Sequence, residues 1–239
     1  MKNKIKLVAF DLDGTITQHK SPLEEENKLV LEKLSKKYKL LMVGAGGCQR
    51  IFNQLLKFPI DVIGNYGLQY GEYNEKTGEL DIKTDLVFDV DRESVTERIS
   101  ALREKFGFNE YVGESVEFHA SGCVTFPIIG TEARLADKLA FDPDRSRRRA
   151  IHQVVKDTFP DYTVFVGGTS SFDMSPAPYD KAYALSKYCA DHGIRHDEVV
   201  YAGDDYGIGG NDESVFLSDF NFVKIDDYRT LGEKLSFLL

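Results

Sequence analysis

The 239-residue sequence has little cysteine, no long apolar run and no surplus of positive charge. Its three cysteines, Cys48, Cys123 and Cys189, are odd in number and widely scattered. That argues against a disulfide framework and against a zinc site, and fits a reducing cytoplasm. No apolar stretch is long enough to span a bilayer, so no membrane partner is expected. Residues 1–5 run straight into a strand-like segment and contain no signal-peptide core. Lys and Arg number 30 against 39 Asp and Glu, a net charge of −9. Such a surface repels a phosphate backbone, so nucleic acid is not expected as a partner. An anionic substrate would need a local positive site. Internal repeats and low-complexity segments are also missing.

What is present is an ordinary globular composition, 42% hydrophobic and 29% charged, with enough chain for one large domain or two modest ones. Residues 6–10 read as a buried strand, because Leu7, Val8, Ala9 and Phe10 are all apolar. A helix opens at Pro22, with Glu24, Glu25 and Glu26 in its first turn and an apolar stripe of Leu29, Val30, Leu31 and Leu34. Strands at 40–43 and 61–63 alternate with helical spacing at Ile51, Leu55 and Leu56. This order predicts right-handed crossovers and a parallel sheet. From about residue 80 the rhythm changes to hairpin-like strands, including 115–119 and 123–128, and two helices at 92–106 and 146–159. The α/β rhythm resumes after Tyr179 with a helix at 181–192, strands at 198–202 and 221–225, and a last helix from Arg229. The expected organisation is an α/β core of residues 1–82 and 177–239, carrying an inserted α+β domain of residues 83–176.

The segment Asp11-Leu12-Asp13-Gly14-Thr15 follows the first apolar strand. Open α/β sheets bind ligands at such strand ends. Asp11 is placed to attack phosphorus, and Asp13, two residues on, to move a proton at the same centre. Oxygen ligands at this spacing suit magnesium. Gly14 permits a sharp turn, and Thr15 offers a donor to phosphate. Asp, Gly and Thr also populate ordinary turns. A chance match to the whole pattern is nevertheless on the order of a few in a thousand.

Read from Phe10 to Thr17, this segment resembles the first signature of the haloacid dehalogenase-like (HAD) phosphatase superfamily. The resemblance implies a Rossmann-like core with a cap domain of the C2 type, Asp11 as nucleophile, Asp13 as acid/base and Mg2+ as cofactor. It assigns Lys181 to the lysine that pairs with the nucleophile. It assigns metal contacts to Asp11, Asp13, Asp204 and the Asn211/Asp212 pair. The second signature departs: Val43-Gly44-Ala45-Gly46-Gly47 has Gly46 where the superfamily places Ser or Thr. Backbone N–H groups at Gly44, Gly46 and Gly47 are the expected substitute for that phosphate contact.

The inserted region is similar to the caps of eukaryotic-type phosphomannomutases, in residues 113–119, 126–130 and 166–176, and the likeness continues at 209–213. It implies sugar contacts at Ser171 and Asp173, and a homodimer through the cap. Where that family carries phosphate-gripping arginines, this sequence has His119 and Thr131, with Arg134 and Lys138 as candidate substitutes. The run Arg145, Arg147, Arg148 and Arg149 reads as a solvated helix start. An intact nucleophile beside an eroded second phosphate grip favours a magnesium-dependent phosphohydrolase acting on a small phosphorylated metabolite, a sugar phosphate. A hexose-phosphate mutase of the phosphomannomutase type is the alternative, and a non-catalytic sugar-phosphate sensor the third reading. Hinges for cap closure are expected at 78–85 and 175–178.

Overall fold

The computed structural model describes residues 5–239. The described chain forms two compact units: residues up to Asp85 with Asp180–Gly207 and Asp212–Leu239, and Leu86–Tyr179 with Ile208–Asn211. These junctions fall three residues later than the 82/83 and 176/177 boundaries expected from sequence. In chain order, the first unit contributes β1 (Leu7–Phe10), α1 (Glu25–Ser35), β2 (Lys39–Val43), α2 (Cys48–Gln54), β3 (Asp61–Gly64), β4 (Gln69–Asn74) and β5 (Glu79–Asp85). The second unit follows with α3 (Arg92–Phe106), β6 (Glu117–Phe118), β7 (Val124–Pro127), α4 (Leu135–Phe141), α5 (Ser146–Thr158), β8 (Tyr162–Phe165) and β9 (Ser171–Pro176). The chain returns with α6 (Lys181–His192), β10 (Val199–Gly203), α7 (Glu213–Phe216), β11 (Asn221–Lys224) and α8 (Leu231–Lys234).

The seven-stranded sheet has the order β11-β10-β1-β2-β3-β4-β5. Its first five strands are parallel. β1 sits in the middle and is buried at every residue, as a strand covered on both faces must be. One face packs Val8, Phe10, Met42, Val62 and Val200 against α1, α2 and α8. The other packs Leu7, Ala9, Leu41, Val43 and Tyr201 against α6. The register sets Phe10 beside Met42 and Ala202. The residues that follow β1, β2 and β10 therefore share one carboxyl edge, which is where a ligand site belongs in such a sheet. The second unit holds a four-stranded antiparallel sheet of order β6-β7-β9-β8 with its own apolar core.

Several expectations need correction. The core sheet is not purely parallel: β4 and β5 add an antiparallel hairpin to β3. β5 is paired with β4 from Glu79 to Asp85, and the junction between the two units falls at its end, between Asp85 and Leu86. α1 begins at Glu25 with Glu24 as its N-cap. Its buried face is Asn27, Leu31 and Leu34, an i, i+4, i+7 line, which leaves Leu29 on the exposed side at 47%. The second unit has a third helix, α4, none of whose residues is buried. Arg148 is not solvated. It is buried, pairs with Asp142 at 2.8 Å, and donates to the carbonyls of Gly167 and Ser171. It thus ties α5 to the start of β9, where Ser171 and Asp173 reside.

Candidate active site

Asp11 is the first residue beyond β1, and its amide is held by the Ala202 carbonyl at 2.9 Å, continuing the β1–β10 pairing. The chain then turns abruptly. The amides of Ile16 and Thr17 both reach the Leu12 carbonyl, and Gly14 adopts φ +93°. Glycine is required there twice over: that φ is unfavourable for L side chains, and an added Cβ would lie 2.7 Å from Asp204 Cγ.

Lys181 opens α6, capped by the Asp180 side chain on the amide of Tyr183. Its ammonium is fully buried and bridges two carboxylates, Asp11 Oδ1 at 2.6 Å and Asp212 Oδ1 at 2.8 Å. Asp212 also accepts from the Tyr201 hydroxyl at 2.6 Å and from the amides of Asp204 and Asp205, each at 3.1 Å. Both Asp212 oxygens therefore carry two donors, near the capacity of a carboxylate. Asp204 accepts the Thr15 hydroxyl at 3.1 Å.

Carboxylate oxygens of Asp11, Asp204 and Asp212 all lie within 4.8 Å of one another. Three carboxylates face one ammonium, so negative charge is in excess in a largely buried place. Burial, with Asp212 and Asp204 nearby, pushes Asp11 well above the usual carboxylate range, while Lys181 pulls it back. Burial and the Asp212 charge push Asp204 up to about 6. Burial alone would lower Lys181, but Asp11 and Asp212 outweigh it and hold the ammonium charged. A hard divalent cation is what this donor set fits: oxygen ligands only, with a charge deficit that the cation would relieve. Because Asp212 is already saturated with donors, Asp11 and Asp204 are the carboxylates best placed to take it.

Asp13 lies apart from that acidic group. Gln54 Nε2 and the Lys20 amide each donate to its Oδ1 at 2.7 Å, and Arg50 Nη2 lies 3.4 Å from Oδ2. Burial tends to raise its pKa, but the Gln54 and Lys20 hydrogen bonds and the Arg50 charge more than offset this, so Asp13 is held below the usual carboxylate range. It is held ionised, and its side chain takes no part in the metal cluster expected from sequence.

The structure brings Asp11, Lys181, Asp204, Asp212 and Thr15 together. The Thr15 hydroxyl is spent on Asp204. Of the glycines after β2, Gly44 admits Ile51, Gly47 caps α2, and Gly46 is covered by the Arg50 side chain. The Cys48 amide, the first of α2, is already taken by Gln69 at 3.0 Å. Asn211 groups with the second unit, beside Gly209, whose carbonyl accepts from the Val166 amide at 2.7 Å. Within that second unit, Asp173 accepts from Thr125 at 3.1 Å and Ser171 at 3.4 Å, and His119 reaches Thr125 at 3.0 Å. Burial raises Asp173, with Thr125, His119, Ser171 and Arg148 opposing. The Arg134 fork is exposed and already engaged by Asp137 at 2.8 and 2.9 Å, and Lys138 donates to the Thr131 carbonyl at 2.7 Å. The Thr131 hydroxyl accepts the Glu114 amide at 2.9 Å.

Residues 27–226 match the family of eukaryotic phosphomannomutases. The chain belongs to that family. It is 27% identical to the phosphomannomutase of Saccharomyces cerevisiae, over 96% of this chain and 88% of that one. It is also 27% identical to the phosphomannomutase of Triticum aestivum, over 89% and 86%. Among solved structures, the IMP-nucleotidase of Plasmodium falciparum superposes with a TM-score of 0.68 at 16% identity, covering 98% of this chain and 68% of that one. A haloacid dehalogenase-like hydrolase from Bacillus subtilis gives 0.60 at 17%, covering 92% and 89%. These structures share the HAD fold, and the phosphomannomutase relatives make the chain a phosphoryl-transfer enzyme of that superfamily. That sets aside the reading as a non-catalytic sensor.

Sequence reasoning missed four side chains: Arg50, Gln54, Tyr201 and Arg148. Arg50 and Gln54 had a signal, since they are one turn apart on α2 just after the deviant glycines. Tyr201 had one too, because in-out alternation along β10 puts it on the α6 face, where Lys181 lies. The buried role of Arg148 depends on a loop contact and had no local mark.

Proposed function

We propose that the protein is a magnesium-dependent hexose-phosphate mutase of the phosphomannomutase type, working through a phosphorylated Asp11. The observation that carries this reading is the buried Lys181 ammonium bridging Asp11 and Asp212 at the tip of β1, in a chain related to phosphomannomutases along most of its length. An Asp11 oxygen attacks the phosphorus of the sugar phosphate, and the bond to the sugar oxygen breaks. Asp13, held ionised, takes the proton of the sugar hydroxyl that attacks the aspartyl phosphate, and gives it back to the sugar oxygen that leaves when a phosphoryl group passes to Asp11. Lys181 holds Asp11 in place and offsets charge on the phosphoryl group. Asp11 and Asp204 would hold magnesium, whose chemistry is to neutralise the phosphoryl oxygens. Ser171 and Asp173 are the proposed ligands of the sugar hydroxyls. A homodimer through the second unit and a cytoplasmic location belong to the same proposal. Among the described residues no helix is long and apolar enough to cross a membrane.

A second reading, a sugar-phosphate phosphatase, is favoured by one observation: the residues expected to grip a distal phosphate are His119 and Thr131, while exposed Arg134 is engaged by Asp137. A coupled assay with mannose 1-phosphate, magnesium and a hexose bisphosphate separates the two. Formation of the 6-phosphate supports the mutase. Release of free phosphate with no isomerisation overturns it in favour of the phosphatase.

A further inference from the structure

Gly46 and Arg50 fit each other in a way that neither position explains alone. The backbone at Gly46 does not require glycine, since its φ lies outside the left-handed region. An added Cβ would nonetheless lie 2.5 Å from Arg50 Nη2 and 2.7 Å from Arg50 Cζ. The guanidinium folds back from α2 into the space that a side chain at residue 46 would fill. This is the place after β2 where the superfamily carries its phosphate-binding hydroxyl.

The surroundings of Arg50 suit an anion. Its Nη1 donates to Gln54 Oε1 at 3.1 Å, and Gln54 in turn donates to Asp13 Oδ1 and, at 3.0 Å, to Thr17 Oγ1. The Arg50–Asp13 contact at 3.4 Å is long for a charge-assisted hydrogen bond, and the Arg50 side chain is 48% exposed. A half-exposed pair of this kind contributes little to stability, so the guanidinium can turn toward an incoming ligand at small cost. Its planar fork matches two phosphoryl oxygens. A site with Asp11, Asp204 and Asp212 around one lysine needs further positive charge to admit a phosphate dianion.

We infer that Arg50 binds the transferring phosphoryl group, taking over the contact of the hydroxyl missing at Gly46. Gly46 is glycine because the guanidinium occupies its side-chain space. This rests on the reading of the site as one of phosphoryl transfer at Asp11.

The test is binding of inorganic phosphate, in the presence of magnesium, by titration calorimetry, alongside turnover of hexose phosphates. Arg50→Met is expected to weaken phosphate about ten- to hundredfold, the range of a hydrogen bond to a charged group, with an unchanged melting temperature. Gly46→Ser alone is expected to weaken it too, because it displaces Arg50. Gly46→Ser combined with Arg50→Ala is expected to bind phosphate more tightly than Arg50→Ala alone, since the double change restores a hydroxyl. Unchanged phosphate affinity in Arg50→Met, or no gain in the double variant over Arg50→Ala, overturns the inference. Failure of the underlying reading has a different signature: turnover that survives Asp11→Asn, whatever Arg50 does to phosphate.

Discussion

The Tyr201 hydroxyl donates to Asp212 Oδ1 at 2.6 Å, on the same oxygen that Lys181 reaches at 2.8 Å. Both residues are fully buried, and burial together with the Asp212 charge pushes the Tyr201 phenol well above its ordinary range. Tyr201 therefore stays a donor, and Asp212 stays fixed as the residue against which Lys181 is aligned. Asp11, Lys181, Asp212 and Tyr201 form one chain of contacts from strand tip to strand interior.

Tyr201→Phe keeps the ring and removes only the donor. A hydrogen bond to a charged group is worth about 1.5–3 kcal/mol. The variant is expected to lose that much stability in urea unfolding, and to lower kcat more than it raises KM, because Lys181 loses its fixed reference. Unchanged unfolding midpoints would mean that the remaining three donors to Asp212 suffice.

Lys181→Met leaves Asp11 and Asp212 buried without their common cation. Breaking a buried ion pair from one side costs about 3–5 kcal/mol. Thermal unfolding should show that loss, and turnover should be undetectable even at temperatures where the variant is folded. Lys181→Arg should not restore turnover, since a planar fork cannot take the place of a compact ammonium in a fully buried niche.

β1, β2, β10 and α6 are legible in the sequence, because their apolar residues recur with the period of elements covered by others. Asp11 is legible for the same reason, since it sits where a buried strand ends, whereas Asp204 and Lys181 are picked out by the resemblance to the superfamily's signatures. The β4–β5 hairpin is not, because most of its residues are exposed or half-buried and its apolar alternation is confined to Leu80 and Ile82. α4 buries no side chain and so leaves no periodic trace. The part played by Arg50 is hidden for another reason. It comes from a side chain folding back over a glycine, and neither spacing nor composition encodes that.

Asp204 gives a pH signature. Its folded-state value of about 6 lies above that of an unfolded aspartate. The corresponding stability is present below about pH 4 and lost as pH rises through about 6. Metal-free protein should therefore lose stability across that interval. Magnesium needs the ionised carboxylate, so it should raise the melting temperature above pH 6 and have little effect at pH 5. In Asp204→Asn the magnesium-dependent rise should vanish, while the metal-free protein becomes more stable at neutral pH. A melting curve that responds equally to magnesium at both pH values would contradict the assignment.

Gly14→Ala forces a Cβ against Asp204 at a φ of +93°. Strained backbone of this kind costs on the order of 1–3 kcal/mol. The variant should melt earlier and respond to magnesium only at higher concentrations than the parent, because Asp204 must move. A parent-like magnesium titration would show that Asp204 is not the carboxylate that matters.

In the proposed reaction the phosphoryl group is carried on Asp11. Intact-protein and peptide mass spectrometry, after rapid acid quench of the enzyme with magnesium and a hexose bisphosphate, reads this out. One added phosphoryl group is expected, labile to hydroxylamine, mapped to the peptide containing Asp11 and missing in Asp11→Asn. A phosphoryl group mapped to any other residue, or turnover by the Asp11→Asn protein, would contradict it.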